Sequence, residues 1–514
     1  MSDELERLAN GVLWPGFLGT TAPAWLRTEL RRGLAGVVYF GQNMGEGIHE
    51  LSADLRAANP DALIGIDEEG GSVTRIEAAT GSTVPGAAQL GGLDDVAATR
   101  ATGAELARRV RAIGADVLLG PVADVNTDPR NPVIGVRSFG ADAELVSRHA
   151  VAEIEGIQGA GVAACVKHFP GHGDTHVDSH HDLPTVDLDP AEFERVHLAP
   201  FRAAVAAGVN AVMTAHIVVP AWGEEPATLN PHVLGMLRAE GFDGVIITDA
   251  LDMAAIRESV GIGGGAVRAL AAGADLLCIG NPTNPGDVAL PDQDERDFLA
   301  ARDAIVDALR DGSLSRARVA EAGARNARLS AKLRAAETGA ASDARYGDES
   351  SDAAGYDAEA IVRRAVTARA ALGAPARGLV VLDARRRSSL AVDSAGAYVA
   401  ATLAGDGPRV RLDTARATEA ERAAAIGEIV AVAEAEGVAE GESLRVVVLV
   451  DRIDTDERQR SLLDAVALAA PSAAVVNVGL PAEGAVGVLP ILDVRAASRI
   501  GSAVARERLV GVTR

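Results

Sequence analysis

Five of the chain's ten histidines lie in one stretch, KHFPGHGDTHVDSHHDLP (167–184). His168, His172, His176 and His180 follow at four-residue intervals, which on a helix would stack their imidazoles on one face like metal ligands. Pro170, Gly171 and Gly173 interrupt such a helix, so a loop is expected here and the spacing loses its metal-binding meaning. What the loop keeps is acid–base chemistry. Asp178 and His180 flank a single serine, and a carboxylate beside an imidazole fixes its tautomer and favours its protonated form near neutral pH. A purely structural hydrogen-bonded pair would show the same spacing.

Further polar residues stand at the ends of apolar runs. Asp249 closes GVIIT and precedes Ala250 and Leu251, where a carboxylate is costly unless it is solvated, paired or used as a nucleophile. The competing reading is a helix cap, with Thr248 or Asp249 opening LDMAAIRESV. Asp67 ends a run in IDEEGGSVTRI (66–76), where three consecutive acids suit a Mg2+ site, a hydroxyl-binding site or a solvated turn. DVNTDPRNPVIGVRSFG (124–140) brings Arg137 after a loop long enough to fold over a pocket, although a lone arginine is usually a surface charge. Asp124, Asn126, Lys167, His168 and His216 complete the set of polar run ends. The GxG matches around Gly171 and in GIGGG (261–265) are too weak to imply nucleotide binding.

The elements that must position these groups alternate. Short Val/Ile-rich runs occur at 11–14, 36–40, 62–67, 115–122, 162–169, 210–216, 243–249 and 274–280. Amphipathic segments such as 94–114 and 142–161 lie between them. Eight strand candidates alternating with helices predict an α/β fold with a (β/α)8 TIM-type barrel, and a doubly wound sheet is the alternative. In a barrel the reactive groups stand at the carboxyl ends of the strands, where the polar residues above fall. Near residue 336 the composition turns to Ala, Gly, Ser and Asp without periodicity. This places a catalytic domain at 1–335, a linker at 336–369 and a smaller α/β sandwich domain at 370–514. In that domain strands are expected at 378–383, 396–403, 444–451 and 473–480, and helices at 421–437 and 457–470.

With 514 residues, 48% of them hydrophobic and 24% charged, the chain is globular and long enough for more than one core. Its formal net charge of −23 argues against a nucleic-acid or anionic-membrane partner. No apolar run predicts a membrane span, and MSDELERLANGVLW has no signal core, so a cytoplasmic location is expected. Cys165 and Cys278 sit in apolar runs and are expected as buried, reduced thiols.

Five segments taken in order resemble family 3 glycoside hydrolases of the β-N-acetylglucosaminidase branch, over roughly residues 10–335. They are IDEEGG with Arg75, NPVIGVRSFG, the histidine stretch, VMTAHIVVP with PATLNP, and GFDGVIITDALDM. The resemblance implies a retaining exo-acting enzyme on terminal β-linked N-acetylglucosamine, with no cofactor and no metal. It implies Asp249 as the nucleophile, His180 as acid/base with Asp178 as its partner, and Asp67, Arg75, Arg137, Lys167, His168 and His216 holding the sugar. Glu68, Ser72 and Ala250 depart from the residues frequent in the family at those positions.

An imidazole acid/base is neutral after giving up its proton, so an anionic acceptor can approach the intermediate. A phosphorylase acting with inorganic phosphate is therefore the alternative on the same residues. A metal-dependent hydrolase would be inactivated by chelators, and a non-catalytic sugar-binding protein would be expected to lack Asp249 or His180. The substrate is expected to be a small carbohydrate, such as a fragment from peptidoglycan recycling, a chitin-derived disaccharide or a glycosylated metabolite. The assembly is expected to be a monomer or a homodimer.

Overall fold

The computed structural model describes residues 2–176, 183–340, 355–386, 396–437, 444–484 and 486–511. The chain forms two compact units. The first holds Met1–Glu69, Val96–Ile134 and Ala141–Tyr356, and the second holds Gly70–Asp95, Gly135–Gly140 and Asp357–Arg514.

Each of the eight runs expected in the first part of the sequence overlaps a strand of the first unit. These are β1 (Leu13–Pro15), β2 (Gly36–Tyr39), β3 (Leu63–Ile66), β4 (Val117–Leu118), β5 (Ala163–Phe169), β6 (Ala211–Thr214), β7 (Val245–Ile247) and β8 (Leu277–Gly280). β2 to β7 pair in chain order as a curled parallel sheet, and β1 pairs in parallel with β8. An isolated parallel bridge between Ile247 and Leu276 ties β7 to the approach of β8. The strands are buried throughout, as their unbroken apolar runs require when both faces of a parallel sheet are covered.

Alternate residues of these strands meet in one cluster, which includes Trp14, Val38, Leu63, Val117, Ala163, Cys165, Met213, Ile247 and Cys278. Trp14 lies across Gly65, where an added Cβ would come within 2.2 Å of the indole, and its Nε1 donates to Leu63 O at 2.8 Å. The long helix Arg316–Ala340 adds Leu329 and Leu333 to the same cluster. Its arginines also serve the carboxylates that precede two strands. Arg334 pairs with Asp116 before β4, and Arg318 donates to Asp275 at 2.6 Å before β8. Cys165 and Cys278 are free and buried, as expected.

The second unit is a three-layer arrangement. Its strands are β9 (Thr367–Ala368), β10 (Leu379–Asp383), β11 (Arg409–Arg411), β12 (Arg445–Val450), β13 (Ala474–Asn477) and β14 (Ile491–Asp493). They lie in the order β11-β10-β12-β13-β14-β9, parallel except for β9. Side chains alternate cleanly between two cores. Leu379, Val381, Val447 and Val476 pack with Val399, Leu403, Val504 and Leu509, whereas Val380, Leu382, Val448 and Val475 pack with Ile429, Leu462 and Val466.

One expectation fails here. GAYVAATL (396–403) is not a strand but most of the helix Ala397–Ala404, because its alanines favour helix and its apolar residues bury one helical face on the first of those cores. Strands β9, β11 and β14 went unforeseen, being two or three residues long, and β11 is bounded by exposed arginines. The expected linker 336–369 carries the helix Ala358–Ala365 and β9 in its second half. Two loops from the first 335 residues also belong to this unit. Ser72 Oγ accepts from Ala497 N at 2.9 Å, Gln89 Nε2 donates to Val494 O at 2.9 Å, and Glu77 pairs with Arg499 at 3.1 Å. Among the described residues no helix is long and apolar enough to cross a membrane.

Candidate active site

The inward alternation of the first unit continues past the apolar core. On β3 it runs Leu63, Gly65, Asp67, on β5 Ala163, Cys165, Lys167, and on β7 Val245, Ile247, Asp249. The strands thus exchange apolar for charged residues at their carboxyl ends. The Cys165 thiol registers this layer: burial raises its pKa, with Lys167 opposing the rise and Asp67 and Asp249 adding to it.

Lys167 is buried to 2% exposure between two carboxylates. Its Nζ donates to Asp67 Oδ1 at 2.5 Å and lies 2.7 Å from Glu69 Oε1. A buried ammonium requires such partners, and the pair in turn fixes the acids that follow β3.

On the other side of β5, His168 Nδ1 lies 2.7 Å from Asp124 Oδ2, and Asp124 Oδ1 accepts the His172 backbone N–H at 2.7 Å. Burial pushes the Asp124 carboxyl up, but His168 and His172 and their hydrogen bonds bring it below its ordinary value. Burial drives His172 down to about 4, so its imidazole is neutral at pH 7, and its Nδ1 sits 3.0 Å from Thr175 Oγ1. The loops after β4 and β5 are stitched further. Asn131 Nδ2 donates to His172 O at 2.8 Å, and Thr127 Oγ1 donates to Asp174 Oδ1 at 2.9 Å. Asp128 pairs with His176 and, at 2.8 Å, with Arg130. Gly173 has to be glycine for this approach, because a Cβ there would stand 1.8 Å from Val125 O. Its described residues, 167–176 and 183–184, are not helical, as the Pro and Gly content predicted.

Asp249 is half-buried just beyond β7. Its Oδ1 accepts the N–H of Ala250 at 2.8 Å, and its own N–H donates to Thr214 Oγ1 at 3.3 Å. The next helix begins only at Ala254, with Met253 as its cap residue, so Asp249 caps no helix. His216, on the loop after β6, is fully buried. Its Nδ1 lies 2.9 Å from Thr228 Oγ1 and its Nε2 2.9 Å from Ala250 O.

Asp67, Lys167, His168, His216 and Asp249 therefore all belong to the strand ends of the first unit. Arg75 and Arg137 belong to the second unit, where Arg75 is half-buried and Arg137 is 7% exposed. Asp178 and His180 lie outside the described residues. Sequence reasoning did not single out Glu69, Thr214 or Thr228, and it named His172 only for the four-residue spacing of the histidines. Glu69 was hidden in a run of acids, and the threonines carry no motif of their own. Among the described residues no group of three or more His, Cys, Asp or Glu is placed to hold a metal ion.

The model of the glycosyl hydrolase family 3 N-terminal domain matches residues 24–329. A β-hexosaminidase A of Pseudoalteromonas piscicida is 33% identical over 343 residues, covering 61% of this chain and 56% of that protein. A β-hexosaminidase of Xylella fastidiosa (strain 9a5c) is 39% identical over 283 residues, covering 52% of this chain and 82% of that one. The solved structure of a family 3 β-N-acetylglucosaminidase from Paenibacillus sp. str. FPU-7 superposes with a TM-score of 0.80 at 31% identity, covering 99% of this chain and 96% of that one.

Proposed function

This chain belongs to glycosyl hydrolase family 3, and from that premise we propose that it is a retaining exo-β-N-acetylglucosaminidase with Asp249 as its nucleophile. The observation that carries the reading is the place of Asp249. It is a half-buried carboxylate at the carboxyl end of β7, it caps no helix, and charged pairs stand at the carboxyl ends of β3, β4 and β5. The names of the relatives supply the substrate class.

A carboxylate oxygen of Asp249 attacks the anomeric carbon of a terminal β-linked N-acetylglucosamine. The bond to the leaving oxygen breaks, and that oxygen takes a proton from His180. Water then attacks the glycosyl ester, His180 takes up the water's proton, and the sugar leaves with its β configuration restored. Asp178 orients the His180 ring. Asp67, held by Lys167, accepts from sugar hydroxyls, and His168 is fixed by Asp124 beside it. The buried cluster drawing on all eight strands supports a closed (β/α)8 barrel. We read it as the catalytic domain, built mainly from residues 1–335 and joined through 336–369 to a smaller α/β domain at 370–514.

The test is turnover of a chromogenic β-N-acetylglucosaminide in phosphate and in a non-nucleophilic buffer, with the sugar product identified. Free N-acetylglucosamine of β configuration, formed at similar rates in both buffers and lost in Asp249→Ala, is expected. A sugar 1-phosphate whose formation climbs with phosphate would turn the reading to a phosphorylase. Absence of turnover in both would reject the sugar class.

A further inference from the structure

Backbone bonds tie the loop that carries Asp249 to β8 on either side of that residue, with Thr248 N donating to Leu276 O and Leu251 N to Cys278 O, each at 3.0 Å. The peptides of Asp249 and Ala250 between those bonds are held by side chains. The Asp249 N–H donates to Thr214 Oγ1 at 3.3 Å, and the Ala250 N–H donates to the Asp249 carboxylate at 2.8 Å. The Ala250 carbonyl faces His216 Nε2 at 2.9 Å. Thr214 Oγ1 and His216 Nδ1 meet at one atom, Thr228 Oγ1, at 2.8 and 2.9 Å. All three side chains are fully buried.

A carbonyl only accepts, so the bond to Ala250 O puts a hydrogen on His216 Nε2. Thr228 Oγ1 stands between His216 Nδ1 and Thr214 Oγ1, and Thr214 Oγ1 accepts from the Asp249 N–H. The Ala215 carbonyl, 3.0 Å from Thr228 Oγ1, is the one competing acceptor for the Thr228 hydrogen among these contacts. With both ring nitrogens facing protein atoms, His216 is built to hold backbone rather than sugar.

We propose that Thr214, Thr228 and His216 form a positioning network that fixes the peptides flanking Asp249 and so aims its carboxylate at the anomeric carbon. This rests on the reading of Asp249 as nucleophile. Removing the network should leave sugar binding intact and slow only the step in which Asp249 forms its bond, because a reacting atom displaced by about 1 Å loses up to about a hundredfold in rate.

The experiment compares full-length wild type with His216→Ala, His216→Gln, Thr228→Val and Thr228→Ser. Two quantities are read: inhibition by N-acetylglucosamine, and the saturating rate of covalent labelling by a 5-fluoro-N-acetylglucosaminyl fluoride, with the labelled peptide mapped. His216→Ala and Thr228→Val are expected to keep the inhibition constant within about twofold and to label Asp249 between about tenfold and about a hundredfold more slowly. His216→Gln, which keeps an N–H for Ala250 O, and Thr228→Ser should recover most of the rate. An inhibition constant raised tenfold with an unchanged labelling rate would make His216 a sugar ligand and overturn the inference. So would wild-type labelling rates in Thr228→Val, a variant of nearly unchanged volume that covers the case of an unfolded His216→Ala. Wild type labelled at a residue other than Asp249, or not labelled, would overturn the reading of the nucleophile and this inference with it.

Discussion

Replacing Glu153 with glutamine should change how the stability of the first unit depends on pH. Glu153 is 4% exposed on the helix Ala143–Gly159, packed so closely on Gly103 that a Cβ there would lie 3.0 Å from its Cγ. Burial, with the charge of Glu69 acting in the same direction, pushes its carboxyl up to about 8. An unfolded glutamate titrates near ~4.3. Between those values the folded chain holds a proton that the unfolded chain has released, so stability falls as pH rises through that window and levels off above pH ~8. At about 1.4 kcal/mol per pH unit over about 3.5 units, the effect is bounded at about 5 kcal/mol. Glu153→Gln keeps the shape and removes the titration. The variant should match wild type near pH 4.5 and become the more stable protein by a few kcal/mol at pH 8.5. All three tryptophans, Trp14, Trp25 and Trp222, lie in the first unit, so urea unfolding followed by tryptophan fluorescence at several pH values reads that unit alone. A difference between the two proteins that stays constant from pH 4.5 to 8.5, or favours wild type at high pH, would refute the reasoning.

Lys167→Met strands the carboxylates of Asp67 and Glu69 and should destabilise the first unit by about 3–5 kcal/mol in the same unfolding assay, with kcat/KM falling as well. Adding Glu69→Gln should return part of the stability. Asp124 titrates below its ordinary value, so its contribution is present at neutral pH and lost as the medium becomes more acidic than that of an unfolded aspartate, near pH ~3.9. Asp124→Asn should therefore be less stable than wild type at pH 7 and converge on it in acid, seen as a shallower acid limb in melting temperature against pH. Leu333→Ala empties a site in the interior cluster and should cost about 2–5 kcal/mol by urea unfolding while kcat per folded molecule is unchanged.

The legible part of the fold was what burial writes locally. A run of Val and Ile buried on both faces needs no distant partner to be recognised, and all eight strands of the first unit were found in this way. GAYVAATL failed for the complementary reason. Its apolar content fits strand or helix equally, and the choice fell to the core it packs against. Strands β9, β11 and β14 are too short to display any period. Nor does a composition break reveal that residues 70–95 and 135–140 cluster with the C-terminal unit, since that depends on atoms such as Ser72 Oγ and Ala497 N, far apart in the chain.

The candidate site divides along the same line. Asp67, Lys167, His168, His216 and Asp249 could be named from the sequence because a polar residue closing an apolar run marks the end of a buried strand, and alternation fixes its face. What each residue does depends on its neighbour across the strands. The tertiary structure set Lys167 between Asp67 and Glu69, gave His168 its carboxylate from Asp124, and turned His216 onto the Ala250 carbonyl. Those pairings follow from strand order and register, which bring together residues tens of positions apart. A hydrogen bond is sensitive to tenths of an ångström, and no local pattern encodes distances on that scale.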